Sequence, residues 1–158
     1  MRKTLQIGAL LLLILTWAIT AFAILGPNGL PARIPTHFNA SGQPDGWGAP
    51  GMLWVIPLIA TVIYLLMSLV SRYPSSFNFP MRTHPAARRA LEVIALNMLS
   101  WLKAEVVFLF ACIQYTAIRF ARSGYGTLSP LFLPAVLIVV FGTIGWHIAA
   151  MRRAARAH

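Results

Sequence analysis

The chain has 158 residues, 58% of them hydrophobic and only 10% charged, with a formal net charge of +10. So much apolar surface exceeds what one water-soluble core of this size can bury, and lipid is therefore the expected solvent for most of the chain. The basic residues also exclude a nucleic-acid reading, because they gather at the ends of apolar runs instead of forming a binding stripe.

Four runs are long enough to cross roughly 30 Å of hydrocarbon as helices: Leu5 to Leu25, Met52 to Val70, Val93 to Ile118 and Leu131 to Met151. Helix is required, since an isolated strand leaves its backbone groups unpaired in lipid. The expected fold is an all-α membrane protein: one four-span bundle over 1–158, with spans at about 5–25, 52–71, 88–120 and 129–151. A structured loop (26–50) joins the first two spans, and a second loop (72–87) joins the next two. Arg2, Lys3, Arg72, Arg82, Arg88, Arg89, Arg152, Arg153 and Arg156 fall on one side, and only Arg33, Arg119 and Arg122 on the other. Cytoplasmic loops carry the excess of Lys and Arg, so this bias predicts both termini inside and the 26–50 loop outside.

In the first span, Thr16 and Thr20 can bond back to helix carbonyls or reach a neighbouring helix. Ala21-Phe22-Ala23 resembles a signal-peptidase site, but the apolar run before it exceeds that of a signal peptide, and a retained span is expected. Gly26-Pro27-Asn28-Gly29 stops the helix. In the loop, Pro31 and Pro35 hold Leu30 and Ile34 extended, and Pro44-Asp45-Gly46 reads as a tight turn. Trp47 and Trp54 are expected at the membrane interface.

Ala49-Pro50 opens the second span, in which Pro57 deletes a helix hydrogen bond and predicts a kink. Pro85 fits the first turn of the third helix, with Thr83 or His84 as its cap, and Arg88 and Glu92 stand four residues apart. A helix from there to about Ala121 outruns the bilayer by about two turns. Ser129-Pro130 caps and starts the fourth span, where Gly145 and Ala149 suit close helix contact. Cys112, the single cysteine, allows no intrachain disulfide and is expected to pack.

The third span is the polar one, carrying Asn97, Ser100, Lys103, Glu105 and Gln114. Lys103 and Glu105 fall near its middle, where charge is costly and demands compensation. Two residues apart, they point to opposite sides of the helix, so each needs a partner elsewhere, with Thr16, Thr20, Thr61, Tyr64, water or another protomer as candidates. They form either an ion, proton or ligand pathway or a packing network. In the loop, His37, Asn39 and Asp45 are the polar candidates. The loop is either a structural lid, with His37 and Asp45 hydrogen-bonding its turns, or a recognition surface with Phe38 and Trp47 as aromatic anchors. One histidine and one carboxylate fall short of a zinc site's three ligands, so no metal, cofactor or catalytic set is assigned. Asn39-Ala40-Ser41 also matches a glycosylation sequon. His84, His147 and His158 are given no role beyond interface or tail.

Leu30-Pro31, Ile34-Pro35-Thr36-His37-Phe38-Asn39, Gly42 and Pro44-Asp45-Gly46-Trp47-Gly48, in that order, resemble the signature of a bacterial membrane module of unknown biochemical function. That module forms the N-terminal part of SdpI-type immunity proteins, which protect cells against a sporulation-delaying toxin and take part in its signalling. Phe77-Asn78-Phe79-Pro80 resembles the asparagine-aromatic-proline motif that follows the second span in the same family. The likeness covers roughly the first 80 residues. It departs at Ala49-Pro50, where the family commonly has lysine after the glycine, and in the further spans of the longer immunity proteins. It implies a multi-pass protein of the bacterial cytoplasmic membrane with a retained first span, and it supplies no catalytic mechanism. The leading expectation is a non-enzymatic protein whose partner is an extracytoplasmic peptide or membrane protein, with room for a homo-oligomer. The alternative is a small transporter or membrane enzyme that uses Lys103 and Glu105.

Overall fold

The computed structural model describes residues 2–27, 29–79 and 85–157. Its elements follow in the order α1 (Arg2–Leu25), β1 (Ile34–Phe38), β2 (Pro44–Gly48), a 3-10 turn (Pro50–Trp54), α2 (Val55–Val70), a second 3-10 turn (Pro74–Ser76), α3 (Pro85–Ser123) and α4 (Phe132–Arg156). All four helices, the second counted from Pro50, are long and apolar enough to cross a membrane. The chain is thus a multi-pass membrane protein with a four-helix fold. Along the spans many large outward-facing side chains are apolar, among them Leu11, Leu65, Phe108, Ile138 and Phe141, as a lipid solvent requires.

The long α3 is the organising element. It packs against α1, α2 and α4, whereas α4 lies along α3 and makes at most marginal contact with the other helices. Buried apolar clusters mark three levels. Ala23, Ile34, Leu53, Ala117 and Ile118 meet at the hairpin end; Leu13, Ala60 and Val107 lie midway; Leu91, Ala95 and Met151 meet at the end that carries the termini. At 39 residues, α3 measures about 58 Å, so it outruns the hydrocarbon as its length predicts. The Arg88–Glu92 pair forms at 3.2 Å. The cap expected at Thr83 or His84 lies outside the described residues.

Three expectations are corrected. Pro44-Asp45-Gly46 is not a turn but part of β2; the reversal occurs at Asn39 to Gly42. α2 runs from Val55 to Val70 with Pro57 in its first turn and a 3-10 turn just before it. The helix itself thus begins two residues before the proline, where a missing N–H costs least. α4 starts at Phe132, with Ser129 Oγ accepting from the Leu131 N–H (3.2 Å) in the turn before it. Finally, a side chain at Gly145 would meet open space, so the small face of α4 makes no close helix contact within this chain.

Candidate functional site

The loop between α1 and α2 is an antiparallel hairpin with Ile34 opposite Gly48, Pro35 opposite Trp47, His37 opposite Gly46 and Phe38 opposite Pro44. Little in this composition favours a strand. Local chemistry builds it instead. Asn39 Oδ1 accepts from the Ser41 and Gln43 N–H groups, both at 3.0 Å, and the Asn39 N–H donates to Gln43 O at 2.9 Å. This fixes a side-chain-closed turn of the kind asparagine favours. Gly42 sits at φ +76°, and its carbonyl accepts from Leu128 N at 3.0 Å, which ties the hairpin tip to the α3–α4 connection. Gly46 and Gly48 leave space for the opposing strand, since a Cβ there would lie 2.8 Å from His37 Cβ and 2.9 Å from Thr36 Cγ2.

Docking sorts the hairpin's side chains. Ile34 is fully buried in the hairpin-end core, and Phe38 packs against the same cluster. Trp47 meets Phe120 of α3 edge-on at 5.6 Å between centroids and remains 46% exposed. His37 Nδ1 and Asp45 Oδ1 are 2.5 Å apart, with both side chains well exposed. Since the carboxylate is the acceptor, His37 donates from Nδ1 and leaves Nε2 toward solvent. The structure therefore brings His37, Asp45 and Trp47 onto one small, braced element. Asn39 is spent on the turn and Phe38 on the core.

The second motif packs at the opposite end. Phe77 and Phe79 join the Leu91–Ala95–Met151 cluster, and with Asn78 they line an apolar cleft of about 360 Å³ between α3 and α4. Arg88 Nη2 braces this segment by donating to Ser75 O at 2.6 Å. Pro80 lies outside the described residues.

Inside the bundle, Gln114 is completely buried, and its Nε2 donates to Thr20 Oγ1 (2.7 Å) and to Leu53 O (3.0 Å). The Leu53 carbonyl lies four residues before Pro57 and would otherwise wait for the N–H that proline lacks. Gln114 thus ties α3 to α1 and to the start of α2. Thr20 in turn donates to Thr16 O at 2.7 Å, and Thr16 to Leu12 O at 2.8 Å.

Lys103 and Glu105 diverge as their spacing requires, but Lys103, expected near the middle of its span, lies level with Ser68, about one turn from the end of α2. Lys103 is buried toward α2, donates to Ser68 Oγ at 3.0 Å, and lies 4.6 Å from the centre of the Tyr64 ring. Of the side chains named for it, Tyr64 is the one beside it among the described residues; Thr61 instead accepts from Trp17 Nε1 at 2.9 Å. Glu105 faces α4, where Thr143 Oγ1 donates to its Oε1 at 2.5 Å. His147 belongs to the same cleft with Trp101 and Trp146, although sequence reasoning gave it no role. Asn97 is half-buried and makes no side-chain hydrogen bond among the described residues. Ser68 and Thr143 were missed because small hydroxyl residues in apolar helices commonly bond back to their own carbonyls.

Residues 11–61 match the family described as "Domain of unknown function (DUF1648)", which takes in most of α1, the whole hairpin and the opening of α2. A protein of Archaeoglobus fulgidus described as "Uncharacterized protein" is 33% identical over 67 residues. That similarity covers 37% of this chain and 37% of the relative, so it spans well under half of the curated protein. No solved structure matches the chain.

Proposed function

We propose that this chain is a non-enzymatic, SdpI-related protein of the bacterial cytoplasmic membrane that recognises an envelope peptide or toxin through its hairpin. In this reading residues 1–158 act as one four-span unit, with both termini cytoplasmic and the hairpin outside. The observation that carries it is the pairing of exposed His37 and Asp45 beside half-exposed Trp47 on an element whose other groups are consumed in holding it rigid. A pre-shaped surface of this kind loses little ordering entropy when it binds.

The test is protection or signalling in cells that express the chain and are challenged with the peptide. His37→Ala and Trp47→Ala are each expected to weaken the response at least about tenfold, as truncation of an interface anchor does, with membrane insertion unchanged. A hairpin scan that leaves the response intact would sink the reading. Orientation has its own test. In a Cys112→Ser background, cysteine at exposed position 41 should react with an impermeant maleimide in intact cells and cysteine at 75 should not; the reverse pattern inverts the proposed topology.

The alternative, a small transporter or membrane enzyme routed through Lys103 and Glu105 together, has less behind it. The two side chains open on separate clefts, one lined from α1 and α2 and the other from α4.

A further inference from the structure

Independently of the hairpin reading, we propose that the cleft holding Lys103 binds a phosphate-class anion that enters from the termini end of the bundle. The first support is a charge count. The sequence has three Asp and Glu residues, namely Asp45, Glu92 and Glu105. Asp45 is engaged with His37, Glu92 with Arg88, and Glu105 with Thr143. None lies on Lys103, yet that residue is only 3% exposed. A buried ammonium with no acidic side chain beside it calls for an anion from outside the fold.

The second support is the cleft itself. Gln6, Tyr64, Ser68, Ser71, Arg72 and Lys103 line an open cleft of about 250 Å³, several times the roughly 30 Å³ a water molecule occupies in the liquid. Every one of these side chains is polar, and none is acidic, unlike the Glu105 cleft on the α4 side. Ser68 and Ser71 spend their hydroxyl protons on the Tyr64 and Met67 carbonyls, at 2.6 and 2.7 Å. Ser68 then accepts one of the three Lys103 N–H groups. The remaining lysine N–H groups, the Arg72 guanidinium, the Gln6 amide and the Tyr64 hydroxyl make a donor-rich wall with two cations and no acid. That is the complement of a phosphate, which accepts from lysine as a point charge and from arginine through its planar fork.

The third support is depth. Ser71 and Arg72 immediately follow α2, where the chain leaves the hydrocarbon, and Arg72 is exposed there while Lys103 sits about one turn further in beside Ser68. A span that ends at Val70 brings Arg72 to the level expected of lipid phosphates, and basic pockets between spans hold anionic headgroups. A lipid headgroup and a free phosphate share this chemistry.

The test uses the full chain in a nonionic detergent, titrated separately with phosphatidylglycerol and with inorganic phosphate while the unfolding temperature is followed. Saturable stabilisation by phosphatidylglycerol alone assigns the site to a lipid headgroup; stabilisation by inorganic phosphate assigns it to the free anion. In either case Lys103→Met and Arg72→Gln should raise the half-saturating concentration at least about tenfold, while Arg156→Gln, an exposed cation at the same end, should not. If Lys103→Met fails to fold, Arg72→Gln at the open mouth carries the comparison. Stabilisation by neither probe, or an equal loss in Arg156→Gln, overturns the proposal, the latter by reducing the effect to general attraction between a basic surface and anions.

Discussion

Replacing Gly42 by alanine is expected to destabilise the chain by more than about 3 kcal/mol and to free the hairpin from the bundle. Two independent costs coincide at this residue. Its φ of +76° is strained for any side chain, and a Cβ there would fall 1.8 Å from the Leu128 carbonyl oxygen. Backbone lies on both sides of that clash, so no side-chain rotation relieves it. The Leu128 N–H to Gly42 carbonyl bond would break, and Trp47 would lose its seat on Phe120. Unfolding in detergent and the Trp47 emission, taken as the difference between spectra with and without Trp47→Phe because the chain has five tryptophans, report the two effects separately: a lower transition midpoint, and a red shift toward the spectrum of a solvated indole. Gly29→Ala is the control, because its Cβ meets open space, and it should stay within about 0.5 kcal/mol of the parent. Without touching His37, Asp45 or Trp47, Gly42→Ala should also reproduce the proposed recognition defect of His37→Ala. Parent-like unfolding and emission would show that the hairpin is not held by its tip.

Lipid makes the helices legible. A span must be apolar nearly throughout, so its length and position can be read residue by residue, and α1, α3 and α4 start or end within about five residues of the expected limits. The hairpin was legible only as a pre-shaped loop. Its strands contain Pro35, Pro44, Gly46 and Gly48, which argue against strand by propensity; they are paired because the glycines leave room for Thr36 and His37 across the ladder. The turn was misplaced for a related reason. Asn39-Ala40-Ser41-Gly42 and Pro44-Asp45-Gly46 both carry turn chemistry, and the contact between Gly42 and Leu128, 86 residues away, lies beyond any local pattern.

Within the bundle, the divergence of Lys103 and Glu105 followed from their two-residue spacing, but their partners did not. Those depend on how α2 and α4 are rotated about their own axes, which a nearly uniform apolar sequence leaves undetermined. Ser68 and Thr143 were therefore invisible as partners, and the Lys103 cleft drew in Gln6 and Arg72 from segments with no shared pattern.

The junction of Gln114, Leu53 and Pro57 is where a sequence signal and a tertiary answer can be tested against one another. Gln114→Leu is expected to cost about 2 kcal/mol, because it strips the Leu53 carbonyl of its donor in a fully buried position and leaves Thr20 Oγ1 with one bond fewer. Single interhelical hydrogen bonds in membranes average nearer 0.6 kcal/mol, since the unfolded chain also finds partners. Here two bonds go at once, and the orphaned acceptor is backbone. Pro57→Ala supplies an N–H four residues beyond that carbonyl, with helical backbone already in place at Trp54 and Val55. In the parent this N–H competes for an acceptor that is already satisfied, so the single change should be close to neutral. In the Gln114→Leu background it should recover about 1 kcal/mol, read as a coupling energy from the four unfolding midpoints in detergent. Strict additivity would mean that Gln114 does not serve the carbonyl that proline leaves open, and that its burial stabilises the α1–α3 contact through Thr20 alone.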